Sequence, residues 1–191
     1  MTPRRLTPSS LAGDRPEAVL PRTATGRDAD LARLIGVCTH AVLEQWDFTR
    51  PRADIHSVIE QTRRRYVVQD HPQLMADVTE DLTAIFERFL SSGPYKSLQR
   101  ATVLGREVPF AMPLGEGQML EGVIDLIYRL DGRTWIADYK TDDVSAEEAQ
   151  ARADRYRSQA EMYSRAVESA LGLSSLSFQF IFLRPGVAID V

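Results

Sequence analysis

The stretch Gly122–Thr141, GVIDLIYRLDGRTWIADYKT, constrains this chain most tightly. Asp131-Gly132 in its middle is a two-residue signal for a type I′ hairpin turn, which needs φ > 0 at both central positions. Before it, Val123–Leu130 alternates as a strand does. After it, Arg133–Lys140 is rich in Thr, Trp, Ile and Tyr, residues that suit a pleated, half-buried surface. A two-residue loop sets Leu130 against Arg133, and therefore Asp125 against Asp138 on one face. Lys140 shares that face because strand side chains alternate with period 2. Ile136, Val123 and Ile127 share it too, so it is not simply a wet surface.

Carboxylates directly opposed on a sheet have Cβ atoms only ~4.5–5.5 Å apart and repel. Either one of the pair is protonated or a cation lies between them. Oxygen donors suit a hard divalent ion, Mg²⁺ or Mn²⁺, and a lysine beside it could orient or deprotonate a water. A solvated sheet face with scattered charges is the alternative.

The residues also resemble a family. Gly122-x-x-Asp125 followed thirteen positions on by Asp138-Tyr139-Lys140-Thr141 is similar to the core of the PD-(D/E)XK nucleases, in particular the RecB/AddA-type nuclease domains. Three further pieces match in the family's order: Gly36-x-x-x-His40-x-x-Leu43-Glu44, Glu107-Val108-Pro109-Phe110 and Gln159-x-x-x-Tyr163. The resemblance covers roughly residues 30–183. It implies an α/β fold, a restriction-endonuclease-like core with a central mixed β-sheet flanked by helices and an N-terminal helical part. It further implies a Mg²⁺- or Mn²⁺-dependent deoxyribonuclease of DNA repair or recombination, an exonuclease rather than an endonuclease. DNA is the implied partner, and a separate helicase subunit is a further candidate.

On that resemblance His40, Asp125 and Asp138 are metal ligands together with the Tyr139 main-chain carbonyl, while Asp125, Asp138 and Lys140 carry the chemistry. Glu107 is a secondary candidate near the metal, and Gln159 and Tyr163 position the lysine or the DNA. Read without the resemblance, His40 is a surface histidine paired with Glu44 one turn away, Tyr163 a core residue and Gln159 a surface one. Two other functions stay open: a DNA-binding or assembly module of the same fold that does not cut, and a metal-dependent hydrolase of another phosphate ester. No Gly-x-x-x-x-Gly-Lys-[Ser/Thr] loop occurs, so these residues are not an ATP-driven motor.

The 191 residues suit one domain with a real core, with residues 1–26 expected as a flexible arm and 27–191 as the nuclease domain. Arg4 and Arg5 lead into no apolar segment, so no signal peptide is expected, and no apolar run is long enough to span a membrane. The single cysteine, Cys38, excludes an internal disulfide and a four-cysteine iron–sulfur cluster, and fits a reducing cytoplasm.

Apolar periodicity predicts a helix over about 28–46, with Leu31, Ile35, Cys38 and Val42 as its stripe. Pro51 and Pro72 each suit the first turn of a further helix. One carries Ile55, Val58, Ile59, Thr62 and Tyr66. The other carries Met75, Val78, Leu82, Ile85, Phe86 and Phe89, and ends at Ser91–Pro94. Residues 102–114 read as a strand that Pro109 confines to an edge or a bulge. A single long helix is predicted from about Ser145 to Leu171, closed by Gly172, with Tyr156 in its apolar stripe, and a final buried strand over 176–183. With 23 basic against 27 acidic residues the net charge is −4, so DNA contact needs a local patch. Arg152, Arg155 and Arg157 are the first choice for it, Arg63–Arg65 the second.

Overall fold

The computed structural model describes residues 4–6, 26–67, 72–115, 117–172 and 176–191. The chain enters the sheet at β1 (Arg4–Leu6), a part of the expected N-terminal arm; residues 7–25 lie outside the described set. Four helices follow: α1 (Gly26–Gln45), α2 (Ile55–Tyr66), α3 (Pro72–Ser91) and the short α4 (Gly93–Leu98). Then come β2 (Thr102–Gly115), β3 (Gln118–Leu130), β4 (Arg133–Lys140), α5 (Ala149–Arg155), α6 (Arg157–Leu171), β5 (Ser177–Phe182) and β6 (Val187–Asp190).

The sheet is mixed, in the order β1-β3-β4-β5-β6, with β2 as a further partner of β3. β2, β3 and β4 run antiparallel, β4 and β5 run parallel across the helical crossover, and β6 returns antiparallel to β5. The β3–β4 turn is as expected: Asp131 and Gly132 have φ of 50° and 79°, and Leu130 faces Arg133. β2 is an edge strand, as Pro109 demanded. Its inner irregularity falls between Val103 and Gly105 rather than at the proline, which stays paired with Val123.

The two sheet faces alternate as period 2 requires. Leu126, Tyr128, Ala137, Tyr139, Ile181 and Leu183 pack with the buried stripes of α1–α4. Ile127, Ile136, Phe178, Phe180 and Phe182 pack against Ala149, Ala153, Ala160, Tyr163 and Val167 of α5 and α6. The alanines let those helices lie close to the phenylalanine row. Truncating fully buried Phe180 to Ala should cost ~3–5 kcal/mol, because a cavity would open in this layer.

Several expectations change. The helix expected over 145–171 is two helices that break at Tyr156 (φ −94°, ψ 2°). The first of them begins at Ala149 rather than Ser145, and the turn ahead of it is closed by a reciprocal pair: Ser145 N–H donates to Glu148 Oε2 and Glu148 N–H to Ser145 Oγ. Tyr66 is 38% exposed, and Val67 takes the buried place at the end of α2. The Ser91–Pro94 stop also begins α4, with Ser92 Oγ accepting the Tyr95 N–H at 3.3 Å. Tyr95 is buried and ties α4 to the end of α1: its hydroxyl accepts from Trp46 Nε1 and donates to the Phe48 carbonyl. No helix among the described residues is long and apolar enough to cross a membrane.

Candidate active site

The β3–β4 ladder holds the expected register from Leu130↔Arg133 to Leu126↔Ala137 and stops there. One step further the register would set Asp125 against Asp138. The strands part at that point: Asp125 Oδ2 accepts the main-chain N–H of Tyr139 at 2.7 Å, a side-chain oxygen in place of a ladder carbonyl. On its other edge β3 pairs Leu126 with Arg106 and Ile124 with Val108, which places Glu107 opposite Asp125. Glu107 has φ of +46°, a sparsely populated region for a residue with a Cβ. Three acids thus stand side by side across three strands, where the ladders on both sides are interrupted.

His40 reaches this row from α1. Its Nδ1 is 3.3 Å from Asp125 Oδ1 and 3.5 Å from Glu107 Oε1, and its ring meets the Tyr139 ring edge-on at 6.2 Å. Glu44, the partner a lone helix would offer, is instead exposed. Gly36 faces the end of β4, but a Cβ there would meet Thr141 Oγ1 at an ordinary 3.7 Å, so close approach does not require glycine. Burial disfavours the charged imidazole. The Asp125 charge and hydrogen bonds with Asp125 and Glu107 outweigh it and raise the His40 pKa to about 10.

One nitrogen and two carboxylate oxygens, from His40, Glu107 and Asp125, lie within 4.8 Å of one another. The donor set fits a divalent cation: hard oxygens, one imidazole, and like charges crowded on adjacent strands. Glu107, expected only as a secondary candidate, completes this trio, whereas Asp138 is turned to a neighbouring cluster.

In that second cluster the Lys140 ammonium stands 2.6 Å from Asp138 Oδ2. The approach is an ion pair without hydrogen-bond alignment, since Oδ2 has no aligned donor. Gln159 on α6 bridges the pair, its Nε2 donating to Asp138 Oδ1 at 3.2 Å and its Oε1 accepting from Lys140 at 3.1 Å. Burial raises the Asp138 pKa to about 6 against the opposing pull of Lys140, and the Asp125 charge adds to the rise. Tyr163, one turn beyond Gln159, packs edge-on against Phe110 of β2 at 5.4 Å. Periodicity assigns Tyr156 only to an apolar stripe. Its ring in fact lies under the Lys140 ammonium, 4.2 Å from the centroid. Its place one turn before Gln159 was the available signal.

The basic residues fall differently from expectation. Arg152 sits 3.4 Å from Asp142, Arg157 2.9 Å from Asp154, and Arg63 and Arg64 both grip Glu60. Arg155 is exposed and has no ion-pair partner among the described residues.

A split antiparallel ladder, a histidine–carboxylate trio and an adjoining Asp–Lys pair define the class. The profile of the PD-(D/E)XK nuclease superfamily matches residues 16–183, and the chain belongs to that superfamily. Its curated relatives include an ATP-dependent helicase/nuclease subunit of Lacticaseibacillus casei, 28% identical over 174 residues, or 82% of this chain and 14% of that protein. The corresponding protein of Anoxybacillus flavithermus is 32% identical over 141 residues, 70% of this chain and 11% of that protein. That of Enterococcus faecalis is 26% identical over 182 residues, 85% of this chain and 14% of that protein. The chain spans 11–14% of the length of these relatives.

Proposed function

We propose that this domain hydrolyses DNA phosphodiesters with a divalent metal, Mg²⁺ or Mn²⁺, and trims ends as an exonuclease in repair or recombination in the cytoplasm. One observation carries the reading: the His40–Glu107–Asp125 trio stands beside the Asp138–Lys140–Gln159 cluster at the point where β3 and β4 part. His40, Glu107 and Asp125 would hold the ion, with Asp138 and the Tyr139 carbonyl as further candidates. A cation held there would supply Lewis acidity toward the scissile phosphate and would lower the pKa of a water.

The chain's own groups do the rest. Asp125 is fixed by the Tyr139 amide, so its second oxygen stays aimed at His40. Lys140 brings a positive charge to where the phosphorane-like transition state gathers negative charge. Gln159 fixes the lysine and Asp138 relative to one another, which sets the direction in which the ammonium can donate. DNA is held locally rather than by the overall charge of −4. Because the relatives are named as helicase/nuclease subunits, a helicase motor is the proposed source of the strand.

The test is a cleavage assay on single-stranded DNA, duplex DNA and mononucleotides, with Mn²⁺ or Mg²⁺ against a chelator. DNA cleavage that needs the ion, with products released progressively from an end, is expected. Ion-independent cutting, or hydrolysis of mononucleotides alone, would overturn the reading.

A further inference from the structure

We infer that Tyr156 is a positioning residue for cleavage: its ring face is the platform on which the Lys140 ammonium is held beside Asp138 and Gln159. The inference rests on the nuclease reading for what Lys140 does, but not for the contact itself.

The ammonium is surrounded by groups of different kinds. Asp138 Oδ2 at 2.6 Å and Gln159 Oε1 at 3.1 Å face it on one side. The Tyr156 ring at 4.2 Å and the Phe180 ring at 5.4 Å cover it on another. The two rings also touch each other, 5.6 Å between centroids. An ammonium over a desolvated aromatic face is attracted by the ring quadrupole. Lysine has a flexible four-carbon stem, so without such a face its charge samples many positions. Tyrosine's ring is itself anchored, because its hydroxyl donates to Asp142 Oδ1 at 3.0 Å and Asp142 is also 3.4 Å from Arg152.

The backbone points the same way. Tyr156 is the residue at which α5 ends and α6 begins, and its carbonyl accepts from the Gln159 and Ala160 amides at 3.0 and 3.1 Å. One residue therefore carries the ring beneath Lys140 and opens the turn that delivers Gln159 to it. A residue that merely filled the core would need neither the hydroxyl bond nor the break.

The experiment compares the wild-type chain with Y156F, Y156L and a series carrying phenylalanine with one, two or three ring fluorines at position 156. Fluorine drains the ring face of negative potential while nearly preserving shape. Cleavage is followed as kcat and KM at saturating Mn²⁺, and Mn²⁺ affinity is measured separately. Y156L is expected to lose ~30-fold in kcat, the size of a desolvated cation–π contact, with the Mn²⁺ dissociation constant unchanged. Y156F retains most of kcat, and the fluorinated series falls stepwise below it.

The activity-independent readout is the proton resonance of the Lys140 ε-methylene, shifted upfield by the ring in the wild type and Y156F and restored in Y156L. A folded Y156L with wild-type kcat, a flat fluorine series, or a Lys140 resonance indifferent to the substitution each overturns the proposal. If Y156L does not fold, the fluorine series decides. If the wild type cleaves no phosphodiester, the nuclease reading fails while the Lys140 resonance still decides whether Tyr156 holds the amine.

Discussion

Asp125 does two separable jobs, and two substitutions part them. One oxygen accepts the Tyr139 N–H at 2.7 Å in a buried position, and the other stands 3.3 Å from His40 in the trio suited to a cation. Asp125→Asn keeps an oxygen for the amide but removes the charge. Asp125→Ala removes both and leaves a buried N–H without a partner, a loss of ~1–3 kcal/mol. An ion that binds only the folded state adds ~2.7 kcal/mol when present at ~100 times its dissociation constant. For a chain of this length each kcal/mol moves the melting temperature by ~2–4 °C.

Wild-type protein should therefore melt ~5–11 °C higher in saturating Mn²⁺ than in chelator. Asp125→Asn should lose most of the rise and, near neutral pH in chelator, melt below the wild type, because the charge that holds protonated His40 is gone. Asp125→Ala should also lose the rise and start ~2–12 °C lower still. Differential scanning calorimetry with Mn²⁺ and with chelator reads all three. A full metal-induced rise in folded Asp125→Asn would place the ion elsewhere. Equal metal-free melting temperatures for the two variants would mean that the Tyr139 amide does not depend on this carboxylate.

Other outcomes follow from the same geometry. Asp138→Asn should keep its fold and lose at least ~100-fold in cleavage, measured by circular dichroism and the DNA assay; burial already disfavours the Asp138 charge, raising its pKa to about 6, so removing it does not destabilise the protein. His40 behaves oppositely. Its pKa in the folded state, about 10, lies above the ordinary value of 6.5, so its contribution to metal-free stability is full below pH ~6.5 and is lost as pH rises toward ~10. Metal must displace that proton, and calorimetric Mn²⁺ titrations near neutral pH in buffers of different ionisation enthalpy should report about one proton released; none released would remove His40 from the ligand set. Because Arg152 and Arg157 are paired with acids, Arg155→Ala alone should reduce the salt slope of DNA binding, by ~0.9 for duplex or ~0.7 for single strands. An unchanged slope would take the DNA off this helix.

The sequence alone was enough for whatever depends on local period and turn chemistry. Asp131-Gly132 can form a tight I′ turn almost anywhere. Once it does, alternation dictates which β3 and β4 residues share a face, so the Leu126↔Ala137 register and the approach of Asp125 to Asp138 could be counted without coordinates. The stripes Ile35–Cys38–Val42 and Val78–Leu82–Ile85 likewise follow from the 3.6-residue turn. Tertiary structure decided where these pieces meet. A β2 bulge shifts the register that brings Glu107 opposite Asp125, and docking of α1 turns His40 away from Glu44 toward that pair. Tyr156 breaks a helix whose local pattern is continuous, while its side chain bonds Asp142 and lies beneath Lys140. The small strands β1 and β6 are too short to announce themselves and exist by pairing with longer neighbours. The arginines found nearby acids that no spacing rule announces in full. Periodicity records which way a side chain points within its own element, and contacts between elements far apart in the chain settle what it meets there.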